Sequence, residues 1–296
     1  MHKVVEKAHG SVLYVVATPI GNLRDITLRA LDILKSVDVV VAEDTRVCGK
    51  LLGHFGIDAR VIASHEHNEH NAAAGIVKLL QEGRSVALTT DAGTPAISDP
   101  GSEVVTQART AGFAVVPVPG PSALVAALSV SGRRFARALF CGFLPAKNGE
   151  RKKALQALSG VEATLVFFEA PHRIVKCVDD LAQILGEDGR IVLCRELTKL
   201  HEEVHDCVLG EARAWLEARP ERIRGEFVLI VNRGKALTDT ATASAQSERV
   251  LALLLPELPL KRAVALAAEI AGGRKNALYR RALEMVGSTN QSQATD

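Results

Sequence analysis

The chain has 296 residues, of which 47% are hydrophobic and 24% charged, and its formal net charge is +2. That length and composition support two domains with cores of their own and exclude a disordered chain, while the near balance of charge excludes a bulk electrostatic grip on nucleic acid. Five cysteines with no CxxC pair speak against a disulfide framework or a zinc knuckle, and no apolar run approaches the roughly 20 residues of a membrane span. Residues 1–10 carry two lysines, a glutamate and two histidines where a signal peptide would have an apolar centre, so a cytoplasmic location is expected.

Ser11 to Thr18 is a β-branched run that reads as a first buried strand, closed by the turn-rich corner Pro19, Ile20, Gly21 and Asn22. Asp25 or Thr27 can cap the helix that follows, with Ile26, Ala30, Ile33 and Leu34 on one face, and Val37 to Ala42 is the next apolar strand. That strand stops at Glu43, Asp44, Thr45 and Arg46, which sets polar residues at a carboxyl end. A short strand at Val61 to Ala63 and a helix at Asn71 to Leu80 lead to Arg84 to Thr89, unbroken in its apolar character as a strand covered on both faces must be. The corner TDAGTPAISDPG from Thr90 follows, with Asp91 at the strand's end and two glycines and two prolines fixing a bent backbone. Asp99 and Pro100 read as the N-cap and first residue of a helix near Glu103 to Arg109. A strand at Ala114 to Val118 and the corner Pro119, Gly120, Pro121, Ser122 complete the alternation, which implies a parallel sheet with its loops gathered on one edge. Ligands bind at such an edge, and an acid there accepts hydrogen bonds from ribose hydroxyls or an ammonium group; Asp91 can equally cap its own turn.

From Arg137 the pattern changes. Strands are expected near Ala138 to Phe143, Thr164 to Glu169, Ile191 to Leu197, Glu203 to Leu209 and Phe227 to Val231, with a hairpin around Leu200 and His201, so this second sheet is expected to be mixed. Pro171 opens a helix striped by Ile174, Val175, Val178, Leu181 and Leu185. Gly234 to Ser247 reads as a linker, Arg249 to Leu255, Leu260 to Ala271 and Asn276 to Val286 as three short helices, and Ser288 to Asp296 as a disordered tail. The expected organisation is an α/β domain over 11–131, a second α/β domain over 132–233 and a helical appendage over 248–287.

Seven motifs stand in order: ATPIGNLRDIT from Ala17, AEDTR from Ala42, TDAGTPAISDPG from Thr90, VPGPSA from Val118, FFEAPHR from Phe167, RELTK from Arg195 and GEFVLIV from Gly225. Together they resemble the tetrapyrrole-methylase superfamily, and within it the ribosomal branch, over about Ser11 to Val286. The resemblance implies a two-domain tetrapyrrole-methylase-like fold, S-adenosylmethionine held in a cleft between the domains, a homodimer, and 2'-O-methylation of a cytidine ribose in 16S rRNA of the small ribosomal subunit; no DNA or membrane partner is expected. The first turn, TPIGN, lacks the GxGxG pattern of a Rossmann-type methyltransferase. The donor is therefore expected to lie against several corners in the superfamily's manner, on Pro19 and Ile20, on Asp91, Ala92, Gly93 and Thr94, and on Ser122 and Ala123, with Phe168 and Leu197 closing over the adenine. Each of these also admits plain packing or turn formation.

Methyl transfer from a sulfonium needs in-line positioning of the acceptor more than forceful chemistry, but a ribose hydroxyl is a poor nucleophile, so a base or cation that assists proton loss is expected. Asp44 is the first candidate, with Glu43 and Arg46 beside it; the same acidic pair can cap a helix starting near Val47. The run His65, Glu66, His67, Asn68, Glu69, His70 lacks zinc-helix spacing and a fourth ligand, so no metal is expected, and the ribosomal resemblance implies substrate contact or a shaped loop there. Glu169, Arg173, Arg195, Glu196 and Lys199 lie in motifs that the resemblance turns toward the cleft, and as bare sequence they read equally as a solvated ion-pair network. Arg133, Arg134, Arg137, Lys147, Arg151, Lys152 and Lys153 form one group of cations, and Lys261, Arg262, Arg274, Lys275, Arg280 and Arg281 another, either of which suits an RNA backbone or a solvated face. Two other readings stay open: a methyltransferase acting on a small molecule such as a corrin precursor, and a non-catalytic RNA-binding module.

Overall fold

The structure is a computed structural model and describes residues 10–64, 69–133, 135–234, 241–271 and 275–292. The expectations for His65 to Asn68, Arg134 and Arg274 lie outside the described residues. By internal contacts the chain divides into two compact units, the first comprising Met1–Arg133, Leu193–Val204 and Gly225–Val228, the second Arg134–Val192, His205–Arg224 and Leu229–Asp296.

The first sheet holds β1 (Val12–Val16), β2 (Val39–Ala42), β3 (Val61–Ala63), β4 (Val86–Leu88) and β5 (Ala114–Val118) in the order β3-β2-β4-β1-β5, with the pairs β3–β2, β2–β4, β4–β1 and β1–β5 all parallel. Its unbroken apolar strands are explained by two cores, one on each face. Val16, Val40, Ala42 and Ala87 join Ala30, Ile33 and Leu34 of α1 (Leu28–Ser36) and Leu51 and Leu52 of α2 (Thr45–His54). The alternate residues Leu13, Val41, Val86 and Leu88 pack with Ala73, Ile76 and Leu80 of α3 (Glu69–Gln81) and Val104 and Ala108 of α4 (Ser102–Thr110). Thr27 caps α1, accepting a hydrogen bond from Ala30 N at 3.1 Å. α5 (Ala123–Val130) follows the corner after β5.

The second sheet holds β6 (Ala138–Phe143), β7 (Thr164–Glu169), β8 (Arg190–Arg195), β9 (Glu203–Val208) and β10 (Phe227–Asn232) in the order β6-β7-β10-β8-β9. β6 and β7 pair in parallel, with a register shift between Phe140 and Gly142. β8 and β9 are neighbours joined only by residues 196–202, too short for a parallel crossover, so they form the expected hairpin and the sheet is mixed. The stripe on α7 (Ile174–Leu185) is buried at Ile174, Cys177, Val178, Leu181 and Leu185; the helix starts at Ile174 rather than Pro171 because a turn occupies residues 171–173. α8 is the short helix Ala212–Glu217.

One residue read as a surface cation is core. Asn148–Leu158 forms a helix, α6, whose inward face is made by Leu155 and Arg151. Arg151 is 2% exposed and donates from Nε to Asp180 Oδ2 on α7 at 2.7 Å, from Nη2 to the same oxygen at 2.7 Å, and from Nη1 to Ala146 O at 3.1 Å. It is no RNA-facing cation. An arginine in a core position breaks the apolar period, which is why periodicity alone passes over this helix.

The C-terminal helices α9 (Ala241–Leu254), α10 (Leu260–Ala271) and α11 (Lys275–Ser292) have a core of Leu251, Ala263, Val264, Ala267, Leu278 and Ala282. α9 begins at Ala241, not Arg249, because the second half of the expected linker holds Ala241, Ala243 and Ala245, the best helix formers. α11 continues to Ser292, past the expected end at Val286, with only Gly287 as a weak interruption; residues 293–296 lie outside the described part. No helix among the described residues is long and apolar enough to cross a membrane.

Candidate active site

Polar loops collect at the carboxyl edge of the first sheet, and hydrogen bonds tie three of them together. Thr18, at the end of β1, bridges Gly93 in antiparallel fashion, its N–H donating to Gly93 O at 2.8 Å and Gly93 N to Thr18 O at 3.1 Å. The buried Thr18 hydroxyl donates to Thr90 O at 3.0 Å. Thr94 Oγ1 donates to Pro121 O at 3.1 Å, which fastens the loop after β4 to the corner after β5. Two glycines permit the approach: Gly93 holds φ 89°, and a Cβ on Gly120 would stand 3.0 Å from Ala17 Cβ. The geometry thus brings Pro19, Ile20, Asp91, Ala92, Gly93, Thr94, Ser122 and Ala123 to one edge. Pro19 and Ile20 are buried, Ser122 precedes α5 without a side-chain cap bond, and Ala123 is the helix's first residue.

Asp91 Oδ1 accepts from Asp44 N at 3.0 Å, and among the described residues its second oxygen accepts no hydrogen bond. Asp91 is exposed. Asp44 itself is the N-cap of α2: Oδ1 accepts from Arg46 N at 2.8 Å and Oδ2 from Arg46 Nη2 at 2.6 Å. The guanidinium and the backbone N–H of Arg46 hold its carboxyl down at about 2. A carboxylate of that acidity whose two oxygens are engaged is a weak proton acceptor. Arg46, with its side chain 85% exposed, is correspondingly tied to Asp44. Glu43 Oε2 accepts from Thr90 Oγ1 at 2.9 Å.

Sequence reading missed Asp99. The helix after this loop starts at Ser102 behind Gly101, whose φ of 128° belongs to glycine, so Asp99 is not its N-cap. Ala96 and Ser98 also hold left-handed φ, each at 65°, and this strained segment carries Asp99, half-buried. Burial, then the charge of Glu43, push its carboxyl up to about 6, against the lowering hydrogen bond from Thr90. Only the glycine between Pro100 and the helix hints in sequence that the cap lies further on.

Leu197, 8% exposed, belongs to the same compact unit as these corners. It sits between Glu196 at φ 50° and Thr198 at φ 67°, in a loop pinned by Lys199 Nζ to Glu196 Oε1 at 2.8 Å and to Glu226 Oε2 at 3.1 Å. That loop crosses close to Gly21, where a Cβ would stand 2.4 Å from Lys199 Cγ. Phe168 lies on β7, in the second unit, its ring edge-on to Phe140 and Phe143 at centroid distances of 4.8 and 5.8 Å. The remaining charged motif residues are buried pairs, not a solvated network. Glu169 and Arg173 meet at 2.9 Å, Arg173 also donating to Leu144 O, and Arg195 donates to His201 O at 3.0 Å.

A parallel sheet with convergent loops at its carboxyl edge, followed in the chain by a mixed sheet, defines a two-sheet α/β protein with a ligand-binding edge, and the family of tetrapyrrole (corrin/porphyrin) methylases matches residues 12–213. The chain belongs to that family. Residues 241–286 match the RsmI C-terminal HTH domain. The chain is 50% identical over 286 residues to the ribosomal RNA small subunit methyltransferase I of Escherichia coli O157:H7, covering 97% of this chain and 99% of that protein. It is 48% identical over 277 residues to the protein of the same name in Pseudomonas aeruginosa, covering 94% of this chain and 98% of that one. Among solved structures, a cobalt precorrin-4 methyltransferase aligns at TM-score 0.55 and 19% identity over 80% of this chain and 99% of that one, and a uroporphyrin-III-C-methyltransferase from Thermus thermophilus at 0.54 and 22% over 77% and 96%. At those identities the likeness is one of fold.

Proposed function

We propose that this chain transfers a methyl group from S-adenosylmethionine to the 2'-oxygen of a cytidine ribose in 16S rRNA of the small ribosomal subunit. The observation that carries this reading is the half-identical, end-to-end similarity to ribosomal RNA small subunit methyltransferases, which takes in the C-terminal helices as well as the methylase domains. It favours RNA over a corrin precursor, and catalysis over a module that merely binds.

The corners at the carboxyl edge suit the donor chemically. The unengaged oxygen of Asp91 accepts hydrogen bonds from a ribose hydroxyl or an ammonium group, while Pro19, Ile20 and Leu197 offer apolar surface to an adenine and a thioether. Ala92, Gly93, Thr94, Ser122 and Ala123 are small enough for backbone to approach the ligand. When bound, the sulfonium supplies an already activated methyl carbon, so the chain's task is to orient the acceptor and take its proton. Glu43, Asp44 and Arg46 stand on the loop that faces that task; the cap geometry suits Asp44 and Arg46 to holding the loop and Glu43 to shaping the proton path.

A homodimer and a cytoplasmic location complete the reading. α5 has the sequence ALVAALSV, apolar nearly all round, yet only Ala127 is buried and Val125 and Val130 are 63% and 51% exposed. A helix of that composition calls for cover, which a second copy provides. Incubation with labelled S-adenosylmethionine and unmodified small subunits, followed by mapping of 2'-O-methyl groups, tests the function. One methylated cytidine ribose in 16S rRNA is the expected product, and label that never enters RNA would overturn the reading.

A further inference from the structure

We propose that Lys199 is a positioning residue for the methyl donor: its side chain, laid across Gly21 and tied down by two glutamates, holds the Pro19–Ile20 corner in the shape that S-adenosylmethionine meets. This role rests on the function proposed above, since without a donor there is nothing to position.

Gly21 follows Ile20 in the corner after β1, and its φ is not left-handed, so no dihedral angle reserves the position for glycine. Space does. A Cβ there would fall inside contact distance of Lys199 Cγ, 2.9 Å from Thr198 Oγ1 and 3.1 Å from Lys199 Cε. Two atoms along the lysine stem, and not its mobile end alone, therefore lie on the bare backbone of the corner. The ammonium is fixed as well. Nζ donates to Glu196 Oε1 at 2.8 Å and to Glu226 Oε2 at 3.1 Å, and Glu196 Oε1 also accepts from Glu226 N at 3.0 Å. Gly225 lets Glu196 come this close, since a Cβ on it would stand 2.6 Å from Glu196 Oε1.

Ile20 carries the constraint onward. It is 9% exposed and packs on Gly93, where a Cβ would stand 3.5 Å from Ile20 Cγ2, and Gly93 belongs to the loop of Asp91. Lys199, Gly21, Ile20 and Gly93 thus form a line of contacts from the hairpin loop into the edge proposed to hold the donor, all within the first compact unit. A connection that only turned β8 into β9 would settle into relaxed dihedral angles. Residues 196–202 instead hold Glu196 and Thr198 left-handed, the second a β-branched residue for which that region is an outlier, and leave the buried Thr198 hydroxyl with no hydrogen-bond partner among the described residues. Such strain persists where surrounding contacts over-determine the backbone. Here those contacts are the two carboxylates on Lys199 and Glu202 Oε2, which accepts from Thr198 N at 2.6 Å.

Calorimetry with S-adenosylmethionine on the full chain tests the role. Lys199→Ala removes stem and ammonium together and should weaken donor binding about 10-fold; with small subunits as acceptor, KM for the donor should rise by a like factor while kcat changes less than about 3-fold. Lys199→Arg keeps an aliphatic stem and a cation able to span both glutamates, and should restore affinity to within about 3-fold of the parent's. Gly21→Ala forces the corner off the stem and should weaken donor binding about 10-fold in the parent, but less than about 3-fold once Lys199→Ala has cleared the space, because the two residues act through one contact. A lysine that merely stabilised the fold would lower the melting temperature, read by parallel thermal scans, and leave these affinities alone. Donor affinities of Lys199→Ala and Gly21→Ala within about 2-fold of the parent's, or losses that add in the double variant, overturn the inference and leave the function standing. Should Lys199→Ala fail to fold, Gly21→Ala decides alone: weakened donor binding by a folded chain supports the role, and parental affinity overturns it. A parent protein that binds donor but methylates no subunit overturns the function while the calorimetry still judges the loop, and one that binds no donor overturns both.

Discussion

Asp91 has one oxygen committed to Asp44 N and one without a partner among the described residues, so it does not close its own turn and keeps an oxygen for the donor proposed above. Asp91→Ala should weaken S-adenosylmethionine binding by about 10- to 100-fold, the worth of one charge-assisted hydrogen bond on the order of 1.5–3 kcal/mol, with the melting temperature little changed; calorimetry reads the first and a thermal scan the second. Asp99 makes the opposite kind of prediction. Its folded carboxyl is raised to about 6 from an ordinary value near 3.8, so its ionisation opposes folding above pH 6 and is without effect below the unfolded value. Asp99→Asn should therefore raise the melting temperature at pH 8, and that gain should disappear by pH 3.5. Both residues were visible in the sequence as acids in a glycine- and proline-rich corner. What was not visible was that Gly101, rather than Asp99, precedes the helix, because a dihedral angle decides it and the Asp-Pro pair imitates a cap.

Elements were legible where burial is two-sided or striped. β1, β2 and β4 showed as unbroken apolar runs because their alternate residues feed two cores, and α7 showed as a stripe because its other face is polar. α6 was hidden by Arg151, a cation in a position that periodicity assigns to a hydrophobe. Breaking its bidentate contact leaves Asp180, 6% exposed, with its charge buried and half-answered, so Arg151→Ala should destabilise the protein by about 3 kcal/mol or more, measured by urea unfolding. Lys153, exposed two residues further on, should tolerate the same change with no measurable loss. The loop 196–199 lay beyond sequence reading altogether: RELTK carries no glycine, and nothing in its composition tells that Glu196 and Thr198 adopt left-handed φ.

At the scale of the molecule, the first group of cations is smaller at the surface than the sequence count, and its exposed members among the described residues are Arg137, Lys147 and Lys153. Replacing these three with alanine should weaken binding to small subunits and flatten its log-linear dependence on salt, leaving donor affinity unchanged, as filter binding at several salt concentrations will read. An equal slope would move the RNA contact to Lys261, Arg262 and Arg280 on the terminal helices, all exposed. Backbone strain, by contrast, is unevenly shared between the two units. Among the described residues, the non-glycine positions with left-handed φ are Ala96, Ser98, Glu196 and Thr198, all in the first unit, in the loops that carry Asp99 and Leu197. Selection for heat resistance would find these positions early, since glycine at Ala96 and at Ser98 relieves about 1 kcal/mol each. A doubly substituted enzyme should melt higher and methylate more slowly, because the loop that carries Asp91 and Thr94 would gain freedom with its ease, and paired melting and turnover measurements would expose that exchange of durability against speed.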